Sequence, residues 1–174
     1  MIQLYKASNT DYSSNGDEIL DPIVVKAEIE AELNGSWMLE IDAVIDKNGI
    51  ALNIEENDVI QLPTFMIQGD QRYRIYDVQR SDDSVIAKAN PIFYDSKDDV
   101  FLIDTRQTNK SGQEALNLML ASNSKYSASS DISTGNTSYY IRKNFIEALN
   151  SNDENSFINR WGGEILYNNE QIIV

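Results

Sequence analysis

The 174-residue chain contains no cysteine and no histidine. Without cysteine it can form neither disulfides nor a thiol nucleophile. Without histidine it lacks the commonest general acid–base side chain and almost every zinc or transition-metal site. The strong ligands that remain are carboxylates, which suit Ca²⁺ or Mg²⁺.

The chain also lacks long apolar runs. No run approaches the roughly 20 residues that a membrane-spanning helix needs, and Met1–Lys6 does not begin a signal peptide, which needs a basic start followed by an apolar stretch. We therefore expect synthesis in the cytoplasm and no membrane partner. The hydrophobic fraction of 41% indicates a folded chain, and the length allows one large domain or two small ones.

Basic residues are scarce, so the chain has a net charge of −14. The imbalance lies mainly in residues 1–100, which hold 20 acidic and 8 basic side chains. Such a surface repels nucleic acid. The simpler interpretation is that these charges form a well-solvated surface. The more specific interpretation is a channel surface past which DNA moves without adhering.

Within residues 23–33, the odd positions from 25 to 33 carry apolar side chains and the even positions from 26 to 32 carry charged ones. This period of two predicts a strand with one buried and one solvated face. Val25, Ile29 and Leu33 are four apart, so a helix stays open as an alternative. The following Asn34-Gly35 pair favours a two-residue type I′ hairpin, and a second alternating run, 37–43, completes it.

Further short strands are predicted up to residue 95. Turns are expected at residues 46–49, 68–71 and 81–84, and strands at 58–62, 64–67, 72–80 and 85–89. Many short strands with regularly spaced turns are typical of a small antiparallel barrel or sandwich. We assign residues 1–95 to such a domain.

The pattern changes after a polar hinge predicted at residues 95–99. Ser111 and Glu114 have capping-box spacing and open an amphipathic helix over 115–121. A second helix is predicted at 141–149, with one or two helical turns at 153–159 and a terminal hairpin over 163–174. The predicted fold class is β-rich α+β, with a mixed α/β domain at 96–174. The hairpin stops at its last apolar residue, so we expect the natural protein to continue.

No catalytic, cofactor-binding or metal-binding residue stands out. Adjacent carboxylates at 55–56, 82–83 and 98–99 lie in predicted turns, where solvation is the simpler explanation than glycosidase chemistry. The run 46–49 lacks the remaining ligands of a calcium loop, so a plain Asx turn is expected. A Ser–Lys pair is available, but no motif selects one. The arginines and tyrosines of 72–80 are expected to pair with acids across strands rather than with nucleic acid.

The most distinctive string is Arg160-Trp-Gly-Gly-Glu164. The tryptophan can anchor a core and the glycines permit a tight turn, so a packing corner accounts for it. With its flanking residues, Asn159 to Ile165, the string resembles the signature of the prophage endopeptidase tail family, also called phage minor structural proteins or tail-associated lysins. Residues 33–40, 73–78 and 89–95 are similar to other segments of that family in the same order, although the usual histidine of the last segment is absent.

This resemblance covers essentially the whole chain and implies structural signature residues. They are Asn34, Gly35, Trp37, Tyr94, Asp95, Arg160, Trp161, Gly162, Gly163 and Glu164. It also implies a fold like the phage baseplate hub, a homotrimer at the virion tail tip, and contacts with the distal tail protein and the tape-measure protein. DNA would pass through the channel without specific binding. Any peptidase or lysozyme activity would lie in a C-terminal extension, so the chain itself is not expected to be an enzyme.

Two alternatives remain open at this point. The chain could be a fragment of a cell-wall hydrolase, although the missing histidine and cysteine argue against it. It could also be a host-carbohydrate adhesin, because Trp37, Trp161 and the tyrosines could stack on sugars. We expect these aromatic side chains to lie in the core instead.

Overall fold

The computed structural model describes all residues, 1–174, and is a β-rich α+β protein, as predicted. It contains twelve strands, four short α-helices and two 3-10 helices. The chain divides into two compact units, Met1–Ile92 and Phe93–Val174. No helix is long and apolar enough to cross a membrane.

Unit 1 is a single antiparallel sheet that curls into a half-barrel. Its strands are β1 Gln3–Tyr5, β2 Glu18–Ile19, β3 Val24–Ala31, β4 Trp37–Val44, β5 Val59–Pro63, β6 Asp70–Arg80 and β7 Ser84–Pro91. Their order across the sheet is β2-β1-β5-β6-β7-β4-β3. A 3-10 helix, Ile50–Asn53, follows β4.

The core of unit 1 lies on one face of this sheet. Strands β4 and β7 alternate buried and half-buried side chains, as period two requires. Leu39 and Ile41 from β4 and Tyr73 and Ile75 from β6 are buried in one apolar cluster. The alternation predicted for residues 37–43 is therefore confirmed.

Strand β3 departs from its predicted burial. It forms as a strand, which excludes the helical alternative, but it lies at the edge of the sheet. Of its five alternating apolar side chains only Ile29 is partly buried, while Val25 is 64% exposed and Leu33, just beyond the strand, is 71% exposed. A register shift between Val24 and Lys26 also breaks the alternation. The prediction that one face of β3 is buried is therefore wrong within the single chain. The face is exposed because no other element packs over this edge strand.

The hairpin between β3 and β4 is confirmed, but its turn is not the predicted one. Gly35 N–H donates to Glu32 O and Glu32 N–H donates to Ser36 O, each at 3.0 Å, so the loop has three residues. Asn34 has a φ of 50°, whereas Gly35 has no positive φ and a type I′ turn needs both. A Cβ on Gly35 would lie 2.6 Å from the Cβ of Glu32, so close packing explains the glycine.

Residues 64–67 do not form the predicted strand. Strand β5 ends at Pro63, and the segment before β6 is an irregular loop. The Thr64 hydroxyl accepts a hydrogen bond from Met66 N–H at 3.2 Å, a local bond that competes with strand pairing. Phe65 at the tip of this loop is 96% exposed.

Burial raises the pKa of Tyr73, in the unit 1 core, to about 12. Its hydroxyl is buried without a hydrogen-bond partner. An unfolded tyrosine ionises near pH 10. The contribution of Tyr73 to the free energy of unfolding is therefore constant below pH 10. Between pH 10 and 12 the free energy of unfolding decreases, because deprotonation of Tyr73 is easier in the unfolded chain.

Tyr73→Phe should therefore stabilise the protein by about 1 kcal/mol at pH 7, because it removes an unsatisfied buried polar group. It should also reduce the loss of stability between pH 10 and 12. Thermal unfolding at a series of pH values measures both effects. Tyr126→Phe is the contrasting control, because the Tyr126 hydroxyl donates to Asp99 Oδ2 and its loss should lower the melting temperature at pH 7. A lower melting temperature for Tyr73→Phe would contradict the prediction.

Unit 2 is mixed α/β. Its elements are α1 Ser96–Asp99, β8 Phe101–Lys110, α2 Gly112–Leu120, β9 Ser127–Ser129, β10 Asn136–Asn144, α3 Phe145–Leu149, α4 Phe157–Trp161, β11 Leu166–Asn168 and β12 Gln171–Ile173. Strands β8 and β10 form a two-stranded antiparallel ribbon. In a second sheet, β12 pairs with β11 antiparallel, completing the predicted terminal hairpin, and with β9 parallel.

Side-chain caps fix the starts of two helices in unit 2. The predicted capping box at Ser111 and Glu114 is present, and α2 follows it. An equivalent box at Asn144 and Glu147 opens α3. The prediction of a helix over 141–149 is therefore wrong in its first four residues, which continue β10 beside β8.

Two further predictions in this half need correction. The polar hinge at 95–99 is helical: a 3-10 helix, Ile92–Asp95, runs into α1. Ser96 is buried there, which a solvated hinge would not allow. The helical turns predicted at 153–159 lie later, in α4.

Candidate functional site

The string 160–164 forms a packing corner at the end of α4. The rings of Trp161 and Phe157 stack with centroids 5.0 Å apart and planes 10° from parallel. Trp161 is buried, and its Nε1–H donates to Lys110 O at 2.8 Å. The indole thus ties α4 to the end of β8 through its apolar ring and its one polar group.

The two glycines that follow reverse the chain towards β11. Gly162 has a φ of 78° and Gly163 a φ of 96°, values that favour glycine. A Cβ on Gly163 would lie only 2.7 Å from Val174 Cγ1. The glycine pair therefore permits both the backbone turn and the close approach of the terminal hairpin.

The charged residues of the string do not converge on a common point. Arg160 Nη2 donates to Asn155 Oδ1 at 2.9 Å, and Glu164 is exposed. The Trp-Gly-Gly core of the string performs packing, and its charges lie at the surface.

Tyr94 and Asp95 belong to the 3-10 helix that opens unit 2. The Tyr94 ring lies 5.2 Å from the ring of Tyr167 on β11. Gly163 approaches Val174 at the end of β12, so Tyr94 and Gly163 contact the same terminal hairpin. Asp95 is half-buried and makes no side-chain cap to α1. The structure brings Tyr94 and Gly163 together as supports for one hairpin.

Asn34, Gly35 and Trp37 lie at the β3–β4 hairpin of unit 1. Trp37 is 5% exposed and starts β4 opposite Ala31. Both tryptophans are therefore buried, as expected, and neither offers a free ring face for a sugar. The first two residues shape the turn described above.

The sequence did not single out Tyr126, and Asp99 was considered only as half of the 98–99 carboxylate pair. The Tyr126 hydroxyl donates to Asp99 Oδ2, and Lys125 Nζ lies 2.7 Å from the same oxygen. Burial and the nearby Asp99 carboxylate raise the pKa of Tyr126 well above its usual value. Phe93 packs edge-on against Tyr126 at 5.3 Å, so this cluster is a structural tie. No sequence motif marks it, because its members are distant in the chain.

Asp58 is the most deeply buried carboxylate, at 1% exposure. It accepts hydrogen bonds from Ala7 N–H at 3.0 Å, Glu55 N–H at 3.2 Å and Lys6 Nζ at 3.0 Å. These donors satisfy the charge and join the segment after β1 to the start of β5. The arrangement is that of a structural anchor.

The other acidic pairs are dispersed. Residues 55–56, 82–83 and 98–99 are exposed, and no group of three or more acidic side chains is arranged to hold a metal ion. Asp46 to Gly49 forms the expected Asx turn, in which Asp46 Oδ1 accepts from Asn48 N–H. Arg74 and Arg80 donate to the carbonyls of Asn57 and Ile54, contacts that sequence reasoning did not anticipate.

A cleft of about 310 Å³ lies on the β8–β10 ribbon. It is lined by Arg106, Gln107, Thr108, Thr137, Ser138, Tyr139 and Ile141. The lining contains no carboxylate, and its single cation, Arg106, pairs with Asp104 at 2.9 Å. The groups needed for acid–base hydrolysis do not meet in this cleft.

No family model and no curated protein matched the chain. Among solved structures, the fold is similar to the crystal structure of prophage tail protein gp18 from Listeria monocytogenes EGD-e, with a TM-score of 0.69 and 11% sequence identity. The similarity covers 99% of this chain and 49% of that chain, so this chain spans about half the length of gp18. At this identity the similarity shows a shared fold.

Proposed function

We propose that the chain is a structural component of a phage or prophage tail. The observation that carries the proposal is the similarity of fold to a prophage tail protein over 99% of the chain. The packing role of the signature residues agrees with it, because Trp161, Gly163 and Tyr94 all support the fold. Both units would serve as rigid building blocks.

Within the tail, we place the chain at the tip, as part of the hub that closes the distal end. The full-length protein would be a homotrimer in contact with the distal tail protein and the tape-measure protein. The resemblance of residues 159–165 to the prophage endopeptidase tail signature supports this finer assignment. Unit 1, with 17 acidic and 7 basic side chains, would let DNA pass without adhering.

In this proposal the chain has no enzymatic activity of its own, and any peptidase or lysozyme activity belongs to an extension. The cleft on the β8–β10 ribbon supports this, because no carboxylate lines it. The burial of both tryptophans argues against a carbohydrate adhesin, although the expectation of core burial is wrong for Tyr76 and Tyr139, which are 47% and 52% exposed.

Antibody labelling of virions from the source strain tests the proposed location. Gold-conjugated antibody raised against the chain should decorate the distal end of the tail, and mass spectrometry of purified particles should detect the chain. Antibody against a capsid protein serves as the control. Labelling confined to the capsid, or absence of the chain from intact particles, would contradict the proposal.

Two assays on the purified chain separate it from a hydrolase and from a nucleic-acid-binding protein. Zymography on bacterial cell walls should show no clearing, with a known muramidase as the positive control. Electrophoretic mobility of duplex DNA should remain unchanged at low salt, where electrostatic binding is strongest. Wall clearing by the pure chain would favour the hydrolase instead.

A further inference from the structure

We propose that the free edge of β3 is a docking site for an extended segment of another protein, one that alternates apolar and basic residues. Strand β3 is the last strand of the seven-stranded sheet, so one of its edges has no neighbour. An extended partner can add to such an edge through main-chain hydrogen bonds. The inference concerns the edge itself and stands whether or not the tail assignment holds.

The hydrogen-bonding pattern of the hairpin identifies the backbone groups at this edge. Glu32 N–H donates to Ser36 O, so these two residues form a hydrogen-bonded pair. Hydrogen-bonded and non-hydrogen-bonded pairs alternate along an antiparallel ladder. With the observed register, Ala27, Ile29 and Ala31 therefore direct their N–H and C=O groups away from β4, towards the free edge.

The side chains of the same three residues continue the core-facing side of β4, but no other element covers them. They lie opposite Ile41, Leu39 and Trp37, all of which are buried. Yet Ala27 and Ala31 are exposed and Ile29 is only partly buried. The apolar period of two in β3 specifies a buried face, and the single chain leaves that face uncovered. An added strand would bury it.

The opposite face of β3 determines the chemistry of the partner. Glu28 and Glu30 point to that side, and Lys26 already pairs with Glu28 at 2.7 Å and Glu40 at 3.2 Å. Glu30 and Glu32 make no ion pair. Lysine or arginine at alternate positions of an added strand would face these carboxylates, as favourable cross-strand pairs require.

A second copy of the chain suits this edge poorly. Antiparallel pairing of two β3 strands centred on Ile29 would set Glu28 of each copy against Glu30 of the other, and like charges opposite each other are destabilising. The only basic residue of β3, Lys26, already pairs with Glu28 and Glu40 of its own copy. Charged residues on an edge strand also discourage self-association. That protective role accounts for the glutamates but not for the uncovered apolar row, which is why we assign the edge to a basic partner.

A synthetic peptide provides the test. A fluorescein-labelled nonapeptide of alternating lysine and valine is titrated with the full chain, and binding is followed by fluorescence anisotropy. Saturable binding is expected, with no binding of the matched peptide in which glutamate replaces lysine. Failure of the lysine peptide to bind, or equal binding of the glutamate peptide, would overturn the proposal.

Proline substitutions test the main-chain contacts. Ala27→Pro with Ala31→Pro removes two edge-facing N–H groups while leaving the hydrogen bonds to β4 in place. At roughly 1 kcal/mol for each bond, affinity should fall about tenfold or more. Ala27→Ser with Ala31→Ser is the matched control and should keep its affinity. Equal binding by the proline variant would mean simple charge attraction and would overturn the proposal.

Peptide methylation gives the same test without changing the protein, in case the proline variant fails to fold. For a partner that pairs antiparallel to β3, N-methylation of the valines blocks the peptide N–H groups that would face β3, whereas N-methylation of the lysines blocks the outer row. Only the first should abolish binding. Sedimentation of the chain without peptide is a further control. If the unsubstituted chain forms dimers and the proline variant does not, the edge binds a second copy, which contradicts the proposal.

Discussion

Trp161→Ala should destabilise the protein by about 3–5 kcal/mol, the usual cost of emptying a large aromatic core site. The substitution removes the ring stacked on Phe157 and leaves Lys110 O without its donor. Urea unfolding followed by far-UV circular dichroism measures the loss, which should appear in the transition of the unit that contains α4.

Trp161→Phe is the matched control for this prediction. It retains a ring over Phe157 and removes only the indole N–H and part of the ring volume, so we expect a cost of about 1–2 kcal/mol. If the alanine and phenylalanine variants were equally stable, Trp161 would not anchor the corner, and a surface role for this string would have to be reconsidered.

The second large effect is expected at Asp58. Asp58→Ala leaves the N–H groups of Ala7 and Glu55 and the ammonium of Lys6 without their shared acceptor. Buried donors without a partner cost about 1–3 kcal/mol each, and we expect a total loss near 3 kcal/mol because Lys6 can turn to solvent. Chemical denaturation at pH 7 provides the measurement.

Asp82→Ala is the control for Asp58, because Asp82 is an exposed acid in the turn before β7. It removes the same charge and should leave the unfolding midpoint unchanged. Similar losses for both variants would show that net charge, and not the anchoring of Ala7 and Glu55, governs the effect. The loss of stability in Asp58→Asn should lie between the losses in Asp58→Ala and Asp82→Ala, since the amide keeps one acceptor oxygen.

Local signals in the sequence predicted the elements that local interactions determine. The Ser111–Glu114 spacing specified a cap, and α2 begins there. The alternation after Trp37 specified a strand with one buried face, and β4 has it. The tight turn at Asn169, with its φ of 53°, produced the terminal hairpin as expected.

The errors arise where distant residues decide the structure. Residues 141–144 pair with β8, more than thirty positions earlier in the chain, and this pairing overrides their helical pattern. The capping box of Asn144 and Glu147 was present in the sequence and marks where α3 begins. The loop after Pro63 was assigned to a strand because β-forming residues fill it, while Thr64 stabilises a local bend.

The candidate site was partly predictable for the same reason. A tryptophan followed by two glycines indicates a tight corner from residue types alone, and Trp161 forms one. The anchoring of Asp58 could not be foreseen, because its donors at Ala7 and Lys6 come from a different strand region. The tie between Tyr126 and Asp99 is equally non-local.

The distribution of the two tryptophans has a practical consequence. Trp37 lies in unit 1 and Trp161 in unit 2, and there is no other tryptophan. Each unit therefore carries its own intrinsic fluorophore in an apolar setting. Single-tryptophan versions made with Trp37→Phe or Trp161→Phe would report the melting of one half at a time, so that emission spectra alone reveal whether the halves melt in one cooperative step or in succession.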